Sequence, residues 1–302
     1  LSATGCGYWT DMSEQNRPTE FPAQEQRPPG LTTQMDPQPD HGEQSYVGNG
    51  RLNGLLTMIT GGDSGIGRAV AIAFAREGAD VVIVHLAEEQ SDADATLEWV
   101  ERAGRRGFSV VADLTSAQVC RTAVNVAVEQ LGGLDVLVNN AGFHYTKDGR
   151  GTIDGLEPEL VDRVIHTNLT ATLWLTQAAL PHLGPGSSII NTSSIQAYDP
   201  SGHMVDYAGT KAAINSITAN LAQQLGPRGI RVNAVAPGPI WTPLQPATRS
   251  ADEVSRFGSN SPLGRAGQPA EVAPAYVYLA SPLEASYVSG SIVGVTGGLP
   301  TF

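Results

Sequence analysis

Leu55-Leu-Thr-Met-Ile-Thr-Gly-Gly-Asp-Ser-Gly-Ile-Gly67 decides how this chain is read. Residues 55–60 form a short, almost wholly apolar run, the pattern of a strand buried on both faces. It passes directly into a glycine-rich turn, Gly61-x-x-x-Gly65-x-Gly67, and then into a helical pattern over 66–77. Gly61 permits a tight turn, while Gly65 and Gly67 let backbone approach a pyrophosphate and let the helix pack close to the strand. The helix start offers free N–H groups and the positive end of a dipole to that anion. No Gly-Lys-Ser/Thr triplet follows, which excludes a P-loop. The turn nominates Gly61, Asp63, Ser64, Gly65, Ile66 and Gly67 as dinucleotide contacts.

Strand and helix patterns alternate from there to the end of the chain. Strands are expected at 80–85, 108–112, 134–138, 188–191, 230–235 and 291–295. Helices are expected at 92–103, 117–131, 207–225 and 269–280, with one long helix at about 157–182. Short apolar strands separated by helices predict an α/β fold: a doubly wound parallel sheet of about seven strands with helices on both faces. Residues 51–302 are read as that single domain, and no internal repeat interrupts it.

The first 50 residues differ. Pro18, Pro22, Pro28, Pro29, Pro37 and Pro39 sit among Gln, Glu, Thr and Gly, a composition unable to fold alone. Two readings stay open: a disordered extension, or an arm lying over the body or a neighbouring subunit, anchored by Phe21, Tyr46 and Val47. Residues 1–11 precede Met12 and are set aside as a cloning remnant or upstream translation.

Composition bounds the partners. The 302 residues carry 30 acidic against 18 basic side chains, a net charge of -12, which argues against nucleic acid and anionic membranes. No apolar run reaches the ~18 residues of a membrane span, and no secretion signal is visible. Cys6 and Cys120 make no disulfide framework, and neither they nor the histidines form a metal motif. A reducing cytoplasm without a bound metal is expected.

Tyr207-Ala-Gly-Thr-Lys211 places a phenol and an ammonium on one helix face. A neighbouring cation lowers a phenol's pKa from its usual ~10, and a tyrosine poised near neutrality can exchange a proton. The spacing is weak by itself. It gains meaning from ordered companions: the glycine turn at 61–67, Asp113-Leu114, Asn139-Asn-Ala-Gly142, Asn168, Ser193-Ser194 and Pro237-Gly238. Ser194 stands thirteen residues before Tyr207.

In this order, over residues 52–298, these motifs resemble the single-domain branch of the short-chain dehydrogenase/reductase family. The segment Pro37-Gln-Pro-Asp-His-Gly-Glu-Gln-Ser-Tyr46 and the run Asn233 to Pro243 resemble a subgroup with long N-terminal extensions. That subgroup includes bacterial general-stress oxidoreductases and plant glucose/ribitol dehydrogenase homologues. The resemblance implies a Rossmann-type fold and hydride transfer between a nicotinamide and a secondary alcohol, polyol, ketone or aldehyde. Tyr207 would be the general acid/base, its pKa lowered by roughly three units or about 4 kcal/mol. Lys211 would lower it and hold the nicotinamide ribose, Ser194 would bond the substrate oxygen, and Asn168 would hold a water on a proton path. Asp113 and Leu114 would face adenine, and Asn140, Ala141 and Gly142 the ribose. Pro237, Gly238 and Ile240 would hold the carboxamide, and Thr242 the phosphate or amide. The family usually forms tetramers or dimers.

Cofactor choice turns on the end of the second strand, where an acid selects a 2′-hydroxyl and a base admits a 2′-phosphate. Here His85 and Leu86 stand there, neither acidic nor arginine. Asp63, Glu88 and Glu89 would repel a phosphate, so NAD is favoured, with NADP the alternative. His144, Tyr145, Gln196, Tyr198, His203 and Trp241 are expected around the substrate, under a mobile lid at about 240–265. A catalytically silent nucleotide sensor or a stress-related scaffold is the competing class. Its signature, loss of Tyr207 or Lys211, is not present.

Overall fold

The computed structural model describes residues 18–301. The readings of residues 1–11 and of Cys6 therefore lie outside the described residues. The seven strands are β1 (Leu56–Thr60), β2 (Asp80–His85), β3 (Gly107–Val111), β4 (Val136–Asn139), β5 (Ser188–Thr192), β6 (Arg231–Pro237) and β7 (Ile292–Val295). They form one sheet in the order β3-β2-β1-β4-β5-β6-β7, and every pairing is parallel.

Register explains why the strands are apolar throughout. Neighbouring residues point to opposite faces. Ile59, Val81, Ile83 and Val138 pack under α1 (Gly65–Arg76), α2 (Gln90–Arg102) and α9 (Pro269–Ala280). Met58, Val82, Val84 and Leu137 pack against α3 (Ala117–Leu131), α5 (Ala171–Ala179) and the end of α6 (Val205–Leu225). Each such aliphatic side chain contributes roughly 1.5–3 kcal/mol on burial, so both faces must be covered. Two amides link the sheet to the helix behind it: Asn139 Nδ2 donates to Asn191 Oδ1 at 2.9 Å, and Asn191 Nδ2 donates to Thr218 Oγ1 at 2.9 Å. Asn139 thus ties β4 to β5 and α6.

The expected long helix at 157–182 runs without a gap from Pro158 to Ala179, but its middle turn is widened. It consists of α4 (Pro158–Ile165), a wide π-helical turn (His166–Thr170) and α5. Such single-turn bulges recur at functional sites, and this one carries Asn168. Between β6 and α9 lie two short helices, α7 (Leu244–Thr248) and α8 (Ala251–Ser255).

Residues 18–50 lie along the body. Phe21 stacks on Trp241 with ring centroids 3.8 Å apart, and the Trp241 indole N–H donates to Pro37 O at 2.8 Å. The Tyr46 hydroxyl donates to Glu77 Oε1 at 2.6 Å, and the Arg76 guanidinium caps the Gly42, Glu43 and Tyr46 carbonyls. Val47 is no anchor: it is 77% exposed. Among the described residues no helix is long and apolar enough to cross a membrane, and no His/Cys/Asp/Glu group suits a metal ion.

Candidate active site at the sheet switch point

The chain runs β1, β2, β3 outward in one direction, then returns to lay β4 on the other side of β1. At such a reversal the connecting loops splay apart beyond the C-terminal strand ends and leave a crevice. A single cleft opens there, lined by the glycine turn, the ends of β2, β4, β5 and β6, and the start of α6.

The glycine turn fits an anionic group for reasons of space. A Cβ on Gly67 would lie 1.8 Å from Gly61 O, so only glycine lets α1 start this close to β1. Gly65 has φ +50, and a Cβ there would lie 2.9 Å from Thr242 Cγ2, beside the cleft floor. No side chain caps the N-terminus of α1, which leaves its first N–H groups for a ligand. Asn140 fastens the turn, its Nδ2 donating to Thr60 O at 2.9 Å and Gly61 O at 3.1 Å. Of the turn residues expected at the cofactor, Gly61, Asp63, Ser64, Gly65 and Ile66 line the cleft, whereas Gly67 acts through packing behind it.

The β2 end is unusual electrostatically. His85 is buried, and its Nδ1 lies 2.8 Å from Leu86 O. A carbonyl only accepts, so Nδ1 carries a proton. Nε2 is buried without a partner. Neither Asp63 carboxylate oxygen has a hydrogen-bond partner of good geometry. Burial first, then the charge of Glu89, hold its carboxyl well above the ordinary range, and the adjacent Ser64 hydroxyl offsets only part of this. Burial likewise pushes Glu89 up to about 7, although Leu86 N donates to its Oε2 at 2.8 Å. Asp113 and Leu114 border the same end. Asp113, expected to accept from adenine, also accepts from Arg163 Nη1 at 2.6 Å.

At the other end, Ser194, Tyr207 and Lys211 converge with Pro237, Gly238, Ile240 and Thr242. Lys211 Nζ lies 5.4 Å from the Tyr207 ring centroid and donates to Thr192 O at 2.8 Å. Burial lowers the ammonium to about 8. Tyr207 departs from expectation: burial raises its pKa above the ordinary 10, and the Ser194 hydroxyl and Arg249 charge only partly offset this. The lysine–tyrosine spacing foresaw the contact but not the loss of water, which costs the phenolate more than these neighbours return.

Asn168 is buried within the π-helical turn. Its Oδ1 accepts from Phe143 N at 2.7 Å, while Nδ2 donates to Phe143 O at 2.8 Å and Thr210 Oγ1 at 3.3 Å. Both ends of the amide hold the backbone that follows Gly142, and Nδ2 also reaches the Thr210 hydroxyl. A Cβ on Gly142 would lie 3.5 Å from Asn168 Oδ1 and 3.7 Å from Lys211 Nζ, so Gly142 brings these two groups together beside Ala141. Ser193 donates to Asn215 Oδ1 at 2.5 Å and serves structure. The Ile240 N–H stands outside the bridge that its neighbours form, in which Gly267 N donates to Pro239 O and Trp241 N donates to Gly267 O, both at 2.9 Å.

The expected substrate ring is partly wrong. Trp241 is fully buried under Phe21 and faces the N-terminal segment, not the cleft. Gln196 is bonded to Ser201, and Tyr145 lies under Arg150. His144 is buried edge-on to Tyr207 with ring centroids 5.2 Å apart, behind the residues that line the cleft, and burial holds it well below its ordinary pKa. Pro28, Pro29, Phe143, Arg163, Thr167 and Thr192 line the cleft without having been expected. Leu244, Gln245 and Thr248 line it from within the segment expected as the lid.

Comparison with known proteins follows this geometry. Residues 61–300 match the family model described as "Enoyl-(Acyl carrier protein) reductase". The chain is 48% identical over 286 residues to the uncharacterized oxidoreductase YhxD of Bacillus subtilis, covering 93% of this chain and 94% of that protein. It is 43% identical over 285 residues to the glucose and ribitol dehydrogenase of Daucus carota, covering 92% and 97%. Among solved structures, it superimposes with a TM-score of 0.76 on a short chain dehydrogenase of Burkholderia cenocepacia in complex with NADP. The identity there is 35%, with 82% of this chain and 99% of that one covered.

Proposed function

The chain belongs to the short-chain dehydrogenase/reductase family, and on that footing we propose that it is an oxidoreductase with a nicotinamide dinucleotide in this cleft. The substrate proposed is a secondary alcohol or polyol, or the matching ketone or aldehyde. The observation that carries the reading is the convergence of Ser194, Tyr207 and Lys211 on one end of a cleft whose other end is the glycine turn. The bound dinucleotide would supply the hydride acceptor or donor. Everything else is work for this chain's own side chains.

Gly61 to Ile66 and the open N-terminus of α1 would receive the pyrophosphate. Asn140, Ala141 and Gly142 would line a ribose, and Pro237, Gly238, the free Ile240 N–H and Thr242 the carboxamide end. Ser194 would donate to the substrate oxygen and stabilise charge developing there. Tyr207 would give that oxygen a proton in reduction and take it in oxidation. Because burial favours the neutral phenol, the resting tyrosine is set as the acid for carbonyl reduction. The positive charge of an oxidised nicotinamide beside it would favour the phenolate needed for oxidation. Lys211, lowered to about 8, is still mostly protonated at neutral pH and adds to that field. Asn168 would position the Gly142–Phe143 backbone and Lys211.

For cofactor form, two lines of support point in different directions. Asp63, Glu88 and Glu89 favour NAD through repulsion of a 2′-phosphate. The structural neighbour that holds NADP weighs the other way. Burial weakens the first argument, since it shifts Asp63 and Glu89 toward their neutral acids. We therefore keep the cofactor as NAD(P), and the ratio of kcat/KM for the two forms at one pH decides it. A cytoplasmic location and dimeric or tetrameric assembly belong to the same reading. No observation favours the silent sensor or scaffold.

The test is absorbance in the reduced-nicotinamide band with a panel of polyols, ketones and aldehydes, for wild type and Tyr207→Phe. Loss of a positioned acid/base typically costs 10²–10⁴-fold, so turnover should fall by roughly that factor while dinucleotide affinity holds. Activity that survives the substitution overturns the role of Tyr207.

A further inference from the structure

We propose that the N-terminal segment is part of the dinucleotide site: Pro28 and Pro29 form its outer wall, held in place from both sides of the cleft. The inference rests on reading that cleft as a dinucleotide site.

Both prolines line the cleft together with the glycine turn. The loop that carries them is closed on itself, since Gln26 Oε1 accepts from Leu31 N at 2.7 Å and Gln26 Nε2 donates to Leu31 O at 3.2 Å. On the substrate side, Gln26 N donates to Pro246 O at 2.8 Å. Gly30, at φ +87, sits so near α7 that a Cβ would lie 2.7 Å from Pro243 O. On the adenosine side, Thr32 N donates to Asp92 Oδ2 at 2.8 Å, a buried carboxylate in the first turn of α2. That turn is itself fixed to the glycine turn, because Thr96 Oγ1 donates to Asp63 O at 2.8 Å. The wall is thus pinned to α2 on one flank and to the 243–246 segment on the other, across the glycine turn. A dinucleotide lying along that turn leaves only when one of these ties opens. A segment that merely stabilised the body would need no contact with the cleft.

The experiment is stopped-flow release of NADPH and NADH from the full chain, followed by nucleotide fluorescence, with wild type, Asp92→Ala, Gly30→Val and Tyr46→Phe. Removing a hydrogen bond to a buried carboxylate should speed release and weaken binding by about tenfold. Gly30→Val should do the same by displacing the loop. Tyr46→Phe removes an anchor far from the cleft; it should lower the melting temperature and leave release unchanged. Hydrogen exchange on the wild-type chain tests the wall without substitution: amides of residues 30–32 should gain protection on dinucleotide binding. Folded variants that release at the wild-type rate, with no change in exchange at residues 30–32, overturn the inference. Failure of the wild-type chain to bind either nucleotide instead sinks the functional reading, and this inference with it.

Discussion

Replacing Lys211 by Met should stabilise the protein at neutral pH, and by an amount that shrinks as pH rises. The ammonium is 3% exposed, and burial takes its pKa from an ordinary 10.5 to about 8. The drop from 10.5 to about 8 corresponds to ~3 kcal/mol. Between those two values the unfolded chain binds the proton more tightly, so wild-type stability rises with pH there. At pH 6.5 the full ~3 kcal/mol opposes folding; at pH 9.5 only ~1 kcal/mol remains. Losing the Nζ bond to Thr192 O costs the variant about 1–3 kcal/mol, equally at both pH values. Wild type should therefore gain ~2 kcal/mol on Lys211→Met between pH 6.5 and 9.5, or about 3 °C in relative Tm. Paired thermal denaturation at the two pH values measures this. A difference independent of pH would show that Lys211 titrates near its ordinary value when folded, and would refute the desolvation account.

Other outcomes follow from the same contacts. The Glu77 side chain is inaccessible and accepts from Arg51, Tyr46 and the Asn49 backbone. Burial alone would raise its pKa, but these donors outweigh it and bring it to about 2. Its stabilisation is present above the ordinary carboxylate range and is lost as pH falls from ~4.5 toward ~2. In urea titrations Glu77→Gln should cost about 3 kcal/mol at pH 7, and the gap to wild type should close across that window. Gly67→Ala places a methyl 1.8 Å from Gly61 O. It should cost more than about 3 kcal/mol and weaken dinucleotide binding in a titration of any folded fraction. A well-folded Gly67→Ala with unchanged affinity would contradict the close-packing argument.

Much of the fold was legible because its determinants are local. Unbroken apolar runs of five or six residues announce strands buried on two faces, and β2 and α3 lie at their expected bounds. The glycine turn was legible because its positive-φ and close-approach positions admit little else. The π-helical turn inside the 157–182 helix was not legible. Asn168, within that turn, bonds the Phe143 backbone, 25 positions away in sequence. Trp241 was misplaced for a similar reason: an aromatic after Pro237-Gly238 suits a substrate wall, and only the packing of Phe21 turns it away.

The sequence by itself determined the class of fold and the glycine turn, since periodicity and spacing are properties of neighbours along the chain; the set Ser194, Tyr207 and Lys211 was nominated by the resemblance to the family. Tertiary structure decided what those groups are like chemically. Tyr207 is held protonated, Lys211 is lowered, Asp63 and Glu89 lean toward neutrality, and a proline-rich segment that cannot fold alone becomes a wall of the cleft. Each depends on how much water is excluded and which distant backbone group arrives. Those quantities exist only once the sheet has brought remote segments together.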